Sequence, residues 1–211
     1  ILNSSKEGFS DGAGGPKDIP RCIKQVSFGA VAIEFIEDNH GLITVSRVAS
    51  LGGQVPGNQT VPRAELWGAI QVLVRADPSF DITIGIDASY VTKGIYIRGG
   101  LEHGANGDLW NILIDILEIR TGTTTFDKIK SHTEDLGTKV LTEGLISAQD
   151  LIGNGLSDSI ADEANARVQA SAAQAKEAEW ADAFGFSFCR VYTSPSPRHR
   201  TRSRTPPSPG K

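Results

Sequence analysis

The chain has 211 residues, 39% of them hydrophobic, and a formal net charge of −4 from 21 basic and 25 acidic side chains; that length and apolar content support one sizeable core with tails. No apolar run approaches membrane-spanning length and no basic-then-apolar leader opens the chain, so the sequence reads as a soluble, monomeric protein of the cytoplasm or nucleus with no membrane partner. Cys22 and Cys189 have neither the spacing of a metal site nor that of a disulfide framework, and a chain with no methionine reads as a fragment.

Residues 1–8 carry no strand or helix periodicity, so residues 1–6 read as a leader outside the fold and the first strand as a short one ending near Asp11. There Asp-Gly would otherwise signal a turn. Gln25 to Ile36 alternates as a strand with a bulge at Gly29, Glu37 to Gly41 is a hairpin turn, and Leu42 to Ser50 returns as the next strand. After a Gly/Pro-rich loop from Gly52 to Gln59, helical spacing begins near Val61, with Leu66, Ala69, Ile70 and Leu73 as its core stripe. Glu65 lies beside that stripe on an edge shared with Ala69, Val72 and Ala76, where a half-buried carboxylate needs a partner or a metal.

Asp81 to Ile86 predicts a strand, and Tyr90, Val91, Gly94 and Ile95 recur at helical spacing, so Asp87 stands where a strand hands over to a helix. That position suits an N-cap, and it is also where sites assemble in α/β sheets. Asn106 caps a further helix running to about Arg120, with Leu109, Ile112, Leu113, Ile116 and Leu117 as its buried stripe. Thr123 to Ile129 is an edge strand that delivers Lys130-Ser131-His132, and residues 133–152 form a mixed link. An alanine-rich helix then continues towards Ala183, capped by Asn154 or Ser157, with Asp158 and Asp162 suited to its first turns by the helix dipole. Six of the basic residues fall in 190–211, which holds no acid, leaving 15 basic against 25 acidic residues upstream, a balance of −10. A body that acidic needs local basic patches, divalent cations or a neighbouring domain to meet a phosphate backbone.

Taken together, Phe9-Ser10-Asp11-Gly12, Arg63-Ala64-Glu65-Leu66, Ile86-Asp87-Ala88-Ser89-Tyr90-Val91, Asn106-Gly107-Asp108-Leu109-Trp110, Lys130-Ser131-His132 and Gly153-Asn154-Gly155-Leu156-Ser157-Asp158 resemble, in order, the motifs of the type 1 ribonuclease H family. The resemblance runs over about residues 9–175, and its long segment between His132 and Asp158 is similar to the ribonuclease H domains of non-LTR retrotransposon polyproteins. It implies an α/β fold with a five-stranded mixed sheet, the first three strands antiparallel and the rest added in parallel, with helices on both faces. It also implies an endonuclease for the RNA strand of RNA/DNA hybrids. Such chemistry uses two Mg²⁺ ions, or Mn²⁺ in their place, about 4 Å apart, which neutralise carboxylates that would otherwise repel one another. Hard oxygen ligands suit these ions and argue against zinc.

By the same resemblance Asp11 is the shared metal ligand, Glu65 and Asp87 serve the ion near the leaving group, and Asp158 serves the ion that activates water, with Asp162 as its competitor. His132 assists proton movement or product release. Gly12, Ala13, Gln59, Thr60 and Ser89 are the substrate-binding candidates by position, reading 2′-hydroxyls across the shallow minor groove. Val61-Pro62 departs from the amide side chains common before Arg-Ala-Glu, and the lysine-rich handle of some bacterial members is missing. The domain is thus expected over residues 7–188, beside an upstream reverse transcriptase domain, with 189–211 as a disordered Arg/Ser/Pro tail. Val191 to Arg198 also resembles a translated sequencing-adaptor read-through. The rival readings are an inactive module of the same fold that binds nucleic acid or a protein, and an RNA-binding adaptor built on the tail.

Overall fold

Alternation of β-branched and small residues builds a sheet whose central strand carries the first aspartate. In the computed structural model, which describes residues 3–97, 101–130 and 146–193, β1 (Asn3–Ala13) pairs antiparallel with β2 (Ser27–Glu37), and β2 antiparallel with β3 (Ile43–Gln54). β4 (Ile82–Ile86) adds parallel to the other side of β1, and β5 (Thr124–Lys128) parallel to β4, giving the order β3-β2-β1-β4-β5. The expected mixed sheet is present, with β5 at its edge.

Two strand expectations are corrected. β1 is not short: Asn3 to Lys6, expected as leader, are strand, because β2 offers partners from Asn3↔Glu37 to Ala13↔Ser27 and β4 pairs with Glu7 to Ser10. A central strand takes its conformation from its neighbours, which override the weak propensity of Asn-Ser-Ser-Lys. Nor is Gly29 a bulge, since it pairs in register with Asp11, and the register shift falls between Glu34 and Phe35 against β3.

Helices cover both faces. On one, α1 (Val61–Arg75), started by Pro62 in its first turn, joins Phe28, Ala30, Ile84 and Ile86 of the sheet in a core that also holds Val91 of α2 (Ser89–Ile97) and Leu109, Trp110 and Leu113 of α3 (Gly107–Ile119). A short 3₁₀ turn, Leu101–His103, precedes α3. The buried stripe of α3 is turned from the expected one: Trp110 is 1% exposed while Ile112 is 40% exposed, because the indole packs onto Gly94 of α2. On the other face, α4 (Ala148–Val168) lies over Phe9, Val31, Ile33 and Phe35.

α4 begins earlier than expected. Ser147 caps it by accepting a hydrogen bond from the Asp150 N–H at 3.0 Å, so Asn154 and Ser157 lie inside the helix, where the Ser157 hydroxyl donates back to the Asn154 carbonyl at 2.9 Å. The helix also approaches the sheet at backbone distance, since a Cβ at Gly153 would run into the Phe9 ring and one at Gly29 into the Ser157 carbonyl. Asn165, 3% exposed, ties its far end down by donating to the carbonyls of Ala13 and Gln25, each at 3.1 Å. The helix stops at Val168 instead of running on to Ala183, and α5 (Ala172–Thr193) belongs to a second compact unit, Ser171–Lys211, after the first, Ile1–Ala170.

Candidate metal centre

Three of the acids singled out in the sequence meet at one end of the sheet. Asp11 lies near the end of β1, Asp87 directly follows β4, and Glu65 sits in the first turns of α1. The parallel pairing of Ser10 with Ile86 sets the two aspartates side by side. One carboxylate oxygen from each of Asp11, Glu65 and Asp87 lies within 4.8 Å of the others. Gly12 lets α1 come this close: a Cβ there would stand 2.8 Å from the Ala64 Cβ and 3.1 Å from the Glu65 nitrogen.

The electrostatics of the cluster are those of acids that face one another. Glu65 is 5% exposed, and its Oε2 has no hydrogen-bond partner among the described residues. Burial first, and then the facing Asp11 and Asp87, push its carboxyl up to about 10. Asp11 is raised to about 7 by burial and then by Asp87, with a further push from Asp158; the Gly12 N–H, donating to its Oδ1 at 2.6 Å, pulls the other way. Two carboxyls thus hold protons near neutral pH that an unburied acid would have lost. A divalent cation fits this donor set, because hard oxygens close enough to share an ion are what Mg²⁺ or Mn²⁺ takes.

Asp158, half-buried on α4, is among the charges that raise Asp11. Asp162, one turn further on and exposed, is itself raised by burial and by Asp158. His132 lies outside the described residues.

The substrate-binding candidates divide in two. Gln59 is tied into its own loop, accepting from the Val26 N–H at 2.8 Å and donating to the carbonyls of Val55 and Gly57 at 2.9 and 2.8 Å. The Gly12 N–H serves Asp11 and the Ala13 carbonyl serves Asn165. Thr60 is exposed at the N-cap of α1 with no side-chain cap bond, and Ser89 is half-buried at the start of α2, so these two stay at the rim.

One buried group escaped the sequence analysis. Arg63, 6% exposed, donates from Nε to the Pro56 carbonyl at 2.6 Å and from its two terminal nitrogens to both carboxylate oxygens of Asp108. The signal was present, since Arg63 and Asp108 each stand in a matched motif, but nothing in the sequence pairs residues so far apart. A cavity of about 600 Å³ lined by Lys6, Glu34, Arg47, Arg75, Phe80 and Arg120 includes none of the acidic cluster.

No protein-family model matches the chain, and no curated protein matches it. Among solved structures it is similar to the protease-reverse transcriptase of prototype foamy virus, at a TM-score of 0.53 and 18% identity over 77% of this chain. The arrangement is consistent with a ribonuclease H-like fold. This chain spans 21% of the viral protein's length, and identity that low speaks to the ribonuclease H-like fold alone.

Proposed function

We propose that this chain is a ribonuclease H that uses divalent metal ions to hydrolyse the RNA strand of RNA/DNA hybrids, as one domain of a retroelement polyprotein beside a reverse transcriptase domain. The observation that carries it is the convergence of Asp11, Glu65 and Asp87 within 4.8 Å with a buried Glu65 oxygen that has no hydrogen-bond partner among the described residues. The similarity to a viral reverse transcriptase supports the polyprotein setting.

In this reading Asp11, Glu65 and Asp87 hold the ions, and Asp158 completes the set, favoured over Asp162 because its charge is felt at Asp11. When bound, Mg²⁺ supplies Lewis acidity and the positive charge for an in-line displacement at phosphorus. The Gly12 N–H fixes one Asp11 oxygen and so aims the other. Burial keeps water from screening the cluster, which sharpens its demand for cations. Thr60 and Ser89, at the rim, contact the sugars of the hybrid, where a 2′-hydroxyl separates RNA from DNA. His132 moves a proton or frees product. With an upstream balance of −10, tight hybrid binding falls to the neighbouring domain.

The test is to incubate the 211-residue chain, with and without Mg²⁺, with a labelled RNA/DNA hybrid, single-stranded RNA and duplex DNA, beside Asp87→Asn. Metal-dependent cutting of the hybrid's RNA strand alone, lost in Asp87→Asn, is the expected result. A folded chain that binds hybrid and cuts none of the three would instead establish the inactive module.

A further inference from the structure

The two carboxylates contributed by α1 and by the turn after β4 sit on elements that a second, polar set of contacts ties together. Arg63 lies two residues before Glu65 on α1, and its Nη1 donates to the Asn106 Oδ1 at 3.3 Å. The Asn106 Nδ2 donates in turn to the Tyr90 hydroxyl at 3.3 Å, and Tyr90 lies three residues after Asp87. That hydroxyl also accepts from the Trp110 indole N–H at 2.8 Å and donates to the Ala105 carbonyl at 2.9 Å. Its one donor and two acceptor positions are therefore all filled. Tyr90 and Trp110 meet edge to face at 5.6 Å between ring centroids. Asn106, whose φ is 63°, is the one non-glycine residue with positive φ among the described residues. Asn tolerates that conformation better than most residues, and a conformation of this kind persists only where its surroundings hold it.

We propose that Arg63, Asn106 and Tyr90 form a positioning relay that sets the spacing of Glu65 and Asp87, so that divalent-cation affinity of the acidic cluster depends on residues that never touch the ion. The inference rests on the metal-binding reading above. The geometry gives it a definite form: among the described residues Asn106 is the one side chain hydrogen-bonded to both of the others, accepting from the α1 side and donating to the α2 side. Arg63 is held in place independently by Pro56 and Asp108, and Tyr90 by Trp110 and Ala105. Loss of the Asn106 side chain therefore removes the direct link and leaves only the indirect route through α3, where Asp108 holds Arg63 and Trp110 holds Tyr90, without unfolding either side. Coupling of this kind comes from a preorganised outer shell, whose removal weakens metal binding by about 10- to 100-fold at dedicated metal sites.

Mn²⁺ binding to the full chain, measured by calorimetry beside melting temperature without metal, tests it. Asn106→Gly keeps the left-handed backbone and removes both side-chain bonds. Tyr90→Phe removes the hydroxyl and keeps the ring. Each is expected to weaken Mn²⁺ binding by about 5- to 20-fold, and the double variant by no more than the stronger single one, because both break the same relay. Leu113→Ala, which hollows the core beneath α3, is the stability control: it lowers the melting temperature and leaves Mn²⁺ affinity within twofold. Wild type that binds Mn²⁺, with both single variants within twofold of it, would overturn the relay alone. Wild type that binds none would overturn the metal reading and the relay together. Multiplying losses in the double variant would show two separate packing effects and equally reject the relay.

Discussion

Arg63 and Glu65 stand two residues apart on α1, both almost wholly buried at 6% and 5% exposure, and the fold treats them in opposite ways. Arg63 has Asp108, Asn106 and the Pro56 carbonyl around it, and the hydrogen bonds to Asp108 hold its guanidinium in the charged form while keeping Asp108 below the usual carboxylate range. Glu65 faces two more acids and leaves an oxygen without a partner among the described residues. Burying a charge is tolerable when the protein itself completes the pairing. A buried acid set among other acids is destabilising by itself and makes sense when something from outside completes it. The first arrangement is architecture, and the second is a site.

The contrast can be broken at several points. Asp11→Asn removes the central carboxylate, and hybrid cleavage should fall by about 10³-fold or more, while the melting temperature without metal should not fall. Arg63→Ala acts the other way, stripping the Pro56 carbonyl and Asp108 of their donor and leaving a void. It should destabilise the metal-free chain by about 2–3 kcal/mol, a drop of roughly 5–10 °C in a thermal melt.

Titration sharpens the comparison further. Asp11 and Glu65 carry folded pKa values above their unfolded ones, so the folded chain holds protons that the unfolded chain releases. Their contribution is therefore most favourable below about pH 4 and declines as pH rises through about 7 for Asp11 and on towards 10 for Glu65. Metal-free stability should fall steadily between pH 5 and 8, and saturating Mg²⁺ should flatten the decline in urea titrations. The smallest effect is Glu65→Gln: without an acid to desolvate, the metal-free chain should gain about 1 kcal/mol, opposite in sign to Arg63→Ala. A loss of stability in Glu65→Gln would mean that its buried carboxyl is a satisfied structural group.

Much of this was legible in the sequence because the acids stand where local pattern changes. Asp87 marks the handover from an alternating strand to a helix, and Glu65 interrupts an apolar edge of α1, so period and chemistry disagree at those residues. Leu66, Ala69, Ile70 and Leu73 read as core for the same reason, and all are buried. What was not legible depends on partners distant in sequence. Asn3 to Lys6 become strand through pairing with Glu37 to Glu34, which no local propensity reveals. The start of α4 at Ala148 rests on one cap at Ser147, hidden beside the stronger Gly-Asn and Ser-Asp signals downstream. Gln59 was a substrate-binding candidate by position alone, and position does not show the hydrogen bonds by which it also holds its own loop. Arg63 and Asp108 lie too far apart in sequence for spacing to join them.

The central claim is that the acidic cluster is completed by a divalent cation, and its most direct test is a calorimetric Mg²⁺ titration of the 211-residue chain at pH 7 in buffers of different ionisation enthalpy. Ligands must lose their protons to bind metal, and with Asp11 near 7 and Glu65 near 10 uptake should release about one to two protons and vanish in Asp11→Asn. Binding that releases no proton, or that persists unchanged in Asp11→Asn, would contradict it.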